Sequence, residues 1–257
     1  MPDTLVHFTG RPRGAYGPQA PAFAAGTAQE RMVSILLEGK LRGAQVPGSD
    51  LPVVCFSEPS EEARRVMLRT GVSQRGPYEP WGLVFDREAL LEIGVRPVMY
   101  LSGEEMDLTG GLPDKSRNRR VRYEPGHADW LHEREWRLCF TEETARSNGA
   151  HLAITRELTI GVIVGEQGWH PPTLQYRRNL SLPGLPRGVT ASAHTTMQLF
   201  AGAADGLRRW WWNGEDLVED GVFEIGEQMQ IAAAYGQEYA DNFRSAPRTS
   251  APDLRRA

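Results

Sequence analysis

Lysine is nearly missing from this chain of 257 residues: of 29 basic residues only Lys40 and Lys115 are lysine, and the rest are arginine. The bias fits a GC-rich coding sequence and marks no function. Cysteine is almost as scarce. Cys55 and Cys139 are the only two, and both lie inside apolar strand patterns, which excludes a disulfide framework and predicts reduced core thiols. No N-terminal apolar run resembles a signal peptide, and none approaches the roughly 20 residues of a membrane span. A soluble, cytoplasmic chain with no membrane partner is expected. The six histidines show no HExxH spacing and there are no paired cysteines, so no metal is expected. A net charge of −4 excludes a polycation that coats nucleic acid. There are no internal repeats.

What is present suits an ordinary globular protein, with 40% hydrophobic and 24% charged residues. Residues 4–9 (TLVHFT) alternate as a strand, with Leu5, His7 and Thr9 on one face and Val6 and Phe8 on the other. A Gly/Pro/Ala-rich loop follows, then a helix whose apolar stripe is Met32, Ile35 and Leu36 and whose stop is Gly39. Strands are predicted at 52–58, 81–86, 95–101 and 158–165, with Pro97 favouring a sheet edge. Short helices are predicted at EEARRVMLR and REALLEI, the second capped by Asp86. Residues 102–128 and 166–190 read as irregular. Asn213-Gly214 marks a hairpin, and a helical period runs from Ile225 to Phe243. Strands and helices mix without βα alternation, so the class is α+β. The expected organisation is one body at 1–190, a hairpin and helix appended at 191–244, and a disordered tail at 245–257.

The most informative stretch is Glu133-Arg134-Glu135-Trp136-Arg137, inside residues 129–140. Read as one strand, it puts Trp136, Leu138 and Phe140 on an apolar face and Glu133, Glu135 and Arg137 on the other. Two carboxylates side by side repel one another in a core, but they suit ribosyl transfer: one stabilises an oxocarbenium ion, the other handles the nucleophile's proton. The competing reading is an exposed Glu/Arg ladder. His7 is either a ligand-binding group or a core histidine bonded to a backbone carbonyl. Ser57 is either an orienting hydroxyl or a strand-end residue satisfying backbone groups. The basic run Lys115, Arg117, Arg119, Arg120, Arg122 suits phosphate contact or is a solvated loop. Trp210 and Trp212 share a strand face; they stack a base, fill a partner's pocket, or pack on the core with Trp211 half exposed.

In order, these segments (HFT, LLEGKL, VCFSE, WGLVFD, RPVMY, EREWR) resemble the AbiGi-type abortive phage-resistance proteins and, more distantly, the ADP-ribosyltransferase superfamily. The resemblance covers about residues 4–165. It implies a split, mixed β core with short helices around an NAD-type cleft. It also implies roles. His7 would bond the adenosine ribose, and the backbone of Phe8 and Thr9 would hold nicotinamide. Ser57 would orient the catalytic glutamate, and Tyr78, Phe56 or Trp81 would stack on nicotinamide. Glu135 would bind the ribose 2′-hydroxyl, and Glu133 would act as base. Arg117, Arg119, Arg120 and Arg122 would meet the target. The pattern is mixed, because the first-strand His7 stands together with the Glu-x-Glu (Glu133, Glu135) of arginine-modifying members, which usually start with Arg; the Ser-Thr-Ser form of the second motif is also absent.

Two functions follow as expectations. One is an NAD-dependent ADP-ribosyltransferase, a toxin or phage-defence effector with a protein or nucleic-acid acceptor and a cognate antitoxin as a candidate partner. The other is a catalytically silent defence module that binds a nucleotide or a phage protein. They divide on geometry: the enzyme needs His7 and Glu135 on neighbouring central strands with side chains entering one cleft, and their placement on opposite faces of the sheet removes the enzymatic reading.

Overall fold

The alternation at residues 4–9 is realised as a central strand. The computed structural model describes residues 3–11, 26–71, 76–127, 129, 131–171 and 204–223, and the backbone of 174–180 and 193–199. In chain order the elements are β1 (Thr4–Phe8), α1 (Ala28–Glu38), β2 (Lys40–Arg42), β3 (Val53–Ser57), α2 (Glu61–Arg69), β4 (Gly82–Asp86), α3 (Arg87–Glu92), β5 (Arg96–Pro97), β6 (Met99–Leu101) and α4 (Gly103–Leu108). Then come α5 (Asp114–Arg117), β7 (Arg120–Arg122), β8 (Glu135–Cys139), α6 (Glu142–Asn148), β9 (His151–Ala153), β10 (Thr159–Val164), β11 (Leu174–Leu180), β12 (Ala193–Leu199), β13 (Arg208–Trp212) and β14 (Leu217–Val222).

The class is α+β. One mixed sheet runs in the order β14-β13-β10-β4-β1-β3-β8-β5. Its ladders are antiparallel except β10 with β13, which is parallel. Three two-stranded ladders, β11-β12, β2-β9 and β6-β7, are separate from it. The hairpin at Asn213-Gly214 extends this same sheet, and the Asn213 side chain accepts from the Glu215 and Asp216 amides to close the turn. Pro97 does lie at an edge, in β5, where its missing N–H costs no ladder bond. The stretch 95–101 is two short strands, because Val98 turns away to bond the Glu135 carbonyl.

Short helices cover the sheet where local chemistry allows. Thr27 and Glu30 form a capping box at the start of α1, and Gly39, at φ 62°, ends it in the left-handed conformation that favours glycine. Its buried Met32 and Leu36 join Leu5, Phe56, Leu83 and Phe85 on one sheet face. This face is the main core, and each such side chain contributes roughly 1.5–3 kcal/mol by burial. On the other face α2 lays Met67 and Leu68 over Val6, Phe8, Val84, Ile163 and Trp210. The tryptophan run is absorbed by packing on both faces: Trp210 sits in this second cluster with Trp212 against it, and Trp211 packs on the main core. A Cβ at Gly161 would overlap the Trp210 ring and the Arg208 carbonyl.

Three expectations are corrected. Residues 102–128 are not irregular: they hold α4, α5 and β7. Residues 166–190 include β11, which pairs with β12 over its full length. Residues 129–140 are not one strand: Leu131–Glu133 is a 3-10 turn, and Arg134 takes φ 45°, so only Glu135 onward is strand. The helical period from Ile225 to Phe243 and the tail lie outside the described residues. No helix among the described residues is long and apolar enough to cross a membrane.

A polar face over two central strands

Register decides which side chains meet. Ser57 lies directly opposite Glu135, Cys55 opposite Arg137, and Val6 opposite Ser57. These residues share the face that carries α2. Strict alternation puts Leu5 and His7 on the other face, where His7 is paired with Leu83. His7 and Glu135 are therefore on opposite faces, with β3 between their strands. The single cleft expected for them does not form.

His7 has a structural role instead. Past Val6, β1 and β3 part, and the His7 Nδ1–H donates to the Cys55 carbonyl at 2.7 Å, a group the ladder no longer satisfies. The ring meets Phe56 edge-on, with centroids 6.3 Å apart. Burial holds its pKa below the ordinary 6.5. The folded state thus keeps His7 neutral, while the unfolded chain protonates near 6.5. Its contribution to stability is complete above that value and is lost as pH falls from it through the lower folded pKa. The urea midpoint should therefore fall less steeply as pH drops below 6.5 in His7→Asn, which keeps a donor but does not titrate. Equal slopes would show that His7 carries no such linkage.

Other expected nicotinamide contacts are also committed elsewhere. The Thr9 hydroxyl donates to the Ala28 carbonyl at 2.7 Å, its N–H to the Trp81 carbonyl at 2.8 Å, and its own carbonyl accepts from Arg31. Phe56 and Trp81 are buried in the main core, against Phe85 and Trp169. The basic run folds onto its own surroundings: Arg117 pairs with Asp50 and Asp114, Arg119 reaches the Lys115 carbonyl, Arg120 reaches the Met106 carbonyl, and Arg122 pairs with Glu124.

What does converge is a polar cluster over β3 and β8. The Arg137 Nε donates to Glu135 Oε1 at 2.7 Å and its Nη2 to Oε2 at 3.3 Å, with only 4% and 11% of the two side chains exposed. The same guanidinium donates to the Asn118 and Arg120 carbonyls. Burial works against the charge on Arg137, but the Glu135 carboxylate outweighs it and raises the Arg137 pKa. Burial, reinforced by the Glu135 charge, pushes the Cys55 thiol well above its ordinary value. The thiol is thus no thiolate nucleophile at neutral pH. Tyr100, whose hydroxyl accepts from the Glu135 amide at 2.8 Å, is pushed by burial up to about 12.

Glu133 stands differently. The 3-10 turn lifts it off the strand, and its Oε1 accepts from the Tyr78 hydroxyl at 3.0 Å and from Arg11 at 3.3 Å. The Arg11 guanidinium lies 3.7 Å above the Tyr78 ring, and that ring stacks on Phe8 at 4.9 Å. Tyr78 and Phe8 are thus the expected aromatic and β1 residues that the fold does bring to this face, together with Ser57, Glu133 and Glu135. Arg11, Cys55 and Tyr100 join them without a sequence signal, since each sits in a loop or strand pattern that says nothing of its neighbours.

Among the described residues no three His, Cys, Asp or Glu side chains are grouped to hold a metal. No family model, curated protein or solved structure matches the chain.

Proposed function

We propose that the chain is a binding module for an anionic, nucleotide-type ligand on the polar face over β3 and β8, and that it does not turn the ligand over. The observation that carries this reading is the Glu135–Arg137 pair. A glutamate meant to stabilise an oxocarbenium ion needs an uncompensated charge open to the ligand, and the Glu135 carboxylate is held bidentately by a buried arginine with only 11% of its own side chain exposed. His7, the expected ribose contact, faces away. The binding half of the reading draws on Tyr78, Arg11 and Glu133, which put an aromatic ring, a cation and a carboxylate in mutual contact. The cation suits a phosphate and the carboxylate a ribose hydroxyl, while the ring, covered by Arg11 on one face and Phe8 on the other, holds both in place. The phage-defence setting comes from the sequence resemblance.

A second reading is favoured by one contact: Ser57 sits directly across from Glu135, as the transferase resemblance implies. In that reading, which gives up the His7 contact the first form required, the chain is an NAD-dependent ADP-ribosyltransferase with its NAD cleft on this face. Glu133 would then take the acceptor's proton as nicotinamide leaves with the glycosidic bonding pair. Protein and nucleic-acid acceptors, and a cognate antitoxin, belong to this reading.

Equilibrium dialysis of the full chain against labelled NAD and ADP tests the first. Retention is expected for at least one of them, with NAD recovered intact. Tyr78→Ala and Glu133→Gln should each weaken retention about tenfold, the loss of one charged or hydrogen-bonded contact or of the ring that supports it. Retention of neither compound would refute the proposal.

A further inference from the structure

Arg64 is the anomaly of α2. It lies one helical turn before Met67 and Leu68, on the stripe that packs against the sheet, and is only 8% exposed. Its Nε–H has no acceptor, and among the described residues its guanidinium forms no ion pair. A buried charge without a partner is costly. Burial accordingly pulls the Arg64 pKa down, with only partial relief from the more distant Glu61 and Asp216. Those acids are engaged already: Arg65 binds both, at 2.7 and 2.6 Å. Glu58 is held by Arg87 at 2.7 Å and by Arg134 at 3.1 Å, and Asp3 by Arg87. The surrounding charges pair among themselves and leave Arg64 without a direct counter-ion.

Arg64 lines a pocket of about 240 Å³ between the start of α2 and the ends of β1 and β3. Arg134 brings a second cation to its wall, on a backbone held at φ 45°. Glu58, Glu61 and Asp3 bring carboxylates to the lining, and Thr4 and Ser60 complete its polar part. A carboxylate has about four lone-pair sites, so these acids keep capacity to accept hydroxyl donors beyond their arginine contacts. The volume is below the roughly 300–1,000 Å³ of pockets that enclose larger ligands, which argues against a whole dinucleotide.

We propose that this pocket is a phosphate-ester site that takes a small phosphorylated sugar, with the phosphate on Arg64 and Arg134 and the sugar hydroxyls on Glu58 and Glu61. The arginine forks match phosphate geometry bidentately. The site uses none of the Tyr78, Arg11 or Glu133 contacts, so it stands or falls apart from the reading of that cluster.

Calorimetric titration of the full chain with ribose 5-phosphate, inorganic phosphate and ribose tests it. Ribose 5-phosphate should bind, inorganic phosphate should bind more weakly, and ribose should give no heat. Arg64→Met should weaken ribose 5-phosphate binding about tenfold or more while its melting temperature holds or rises, because an unpaired buried charge has been replaced by an apolar side chain. Arg64→Lys should fall between the two. Arg146→Gln, which removes one exposed charge on α6, should bind as the unaltered chain does. No binding of ribose 5-phosphate at millimolar concentration would overturn the proposal. So would unchanged binding in both Arg64 variants, or an Arg64→Met chain that does not fold, since Arg64 would then serve the core. Equal affinity for inorganic phosphate would remove the sugar from the site.

Discussion

Replacing Arg137 with leucine is expected to lower the stability of the fold by about 3–5 kcal/mol, the usual cost of leaving one member of a buried ion pair alone. The Glu135 carboxylate would remain buried beside Cys55 and Tyr100 with no cation to balance it. The Asn118 and Arg120 carbonyls would also lose their donor. Restoring Glu135→Leu in the same chain should recover the electrostatic part of the loss, because replacing both members of such a pair by apolar residues is often nearly neutral. What remains should be roughly 1–3 kcal/mol for the unsatisfied carbonyls. Urea denaturation of the two variants gives both numbers. A single variant that loses little, or a double variant no better than the single, would mean the pair does not hold β8 in place.

Phe56→Ala should cost about as much, roughly 3–5 kcal/mol, the range for emptying a large aromatic site in a packed core. Phe56 is 1% exposed, sits edge-on to Phe85 and supports the His7 ring. The cavity would open within the main core, beside Phe85. Phe56→Leu should keep the fold and leave NAD and ADP retention untouched. Tyr78→Ala should show the reverse, a modest stability loss and a clear loss of retention, because its ring is only partly buried and its hydroxyl contacts Glu133. Melting temperature and dialysis on the same samples separate the two. Loss of retention in Phe56→Leu would return Phe56 to the ligand site.

The strands were legible where period-2 alternation coincides with apolar content, as in β1, β3, β4 and β10, and the helix stops were legible at Gly39 and at the Asp86 cap. Element identity failed where a local device overrides the pattern. Nothing in His132-Glu133-Arg134 announces the positive φ that ends the strand early, and this one turn separates Glu133 from Glu135. Alternation in β1 and β8 could each be read, but the order of strands could not. Without knowing that β3 lies between them and that Val6 faces Ser57, the relative face of His7 and Glu135 is undetermined. The sequence did carry one clue to Arg64: a cation one turn before Met67 and Leu68, on an otherwise apolar stripe. Arg11 carried none, because a loop residue's partner is set by tertiary folding alone.

Release of nicotinamide tests most directly whether this face binds without chemistry. The full chain, at a concentration comparable to that of nicotinamide-labelled NAD and supplied with cell lysate as a source of acceptors, would be followed for free nicotinamide against a lysate-only control. The proposed binding module releases none above the control, and Glu133→Gln and Glu135→Gln do not change that result. Release above the control that Glu133→Gln or Glu135→Gln abolishes would contradict it and establish the transferase reading in its place.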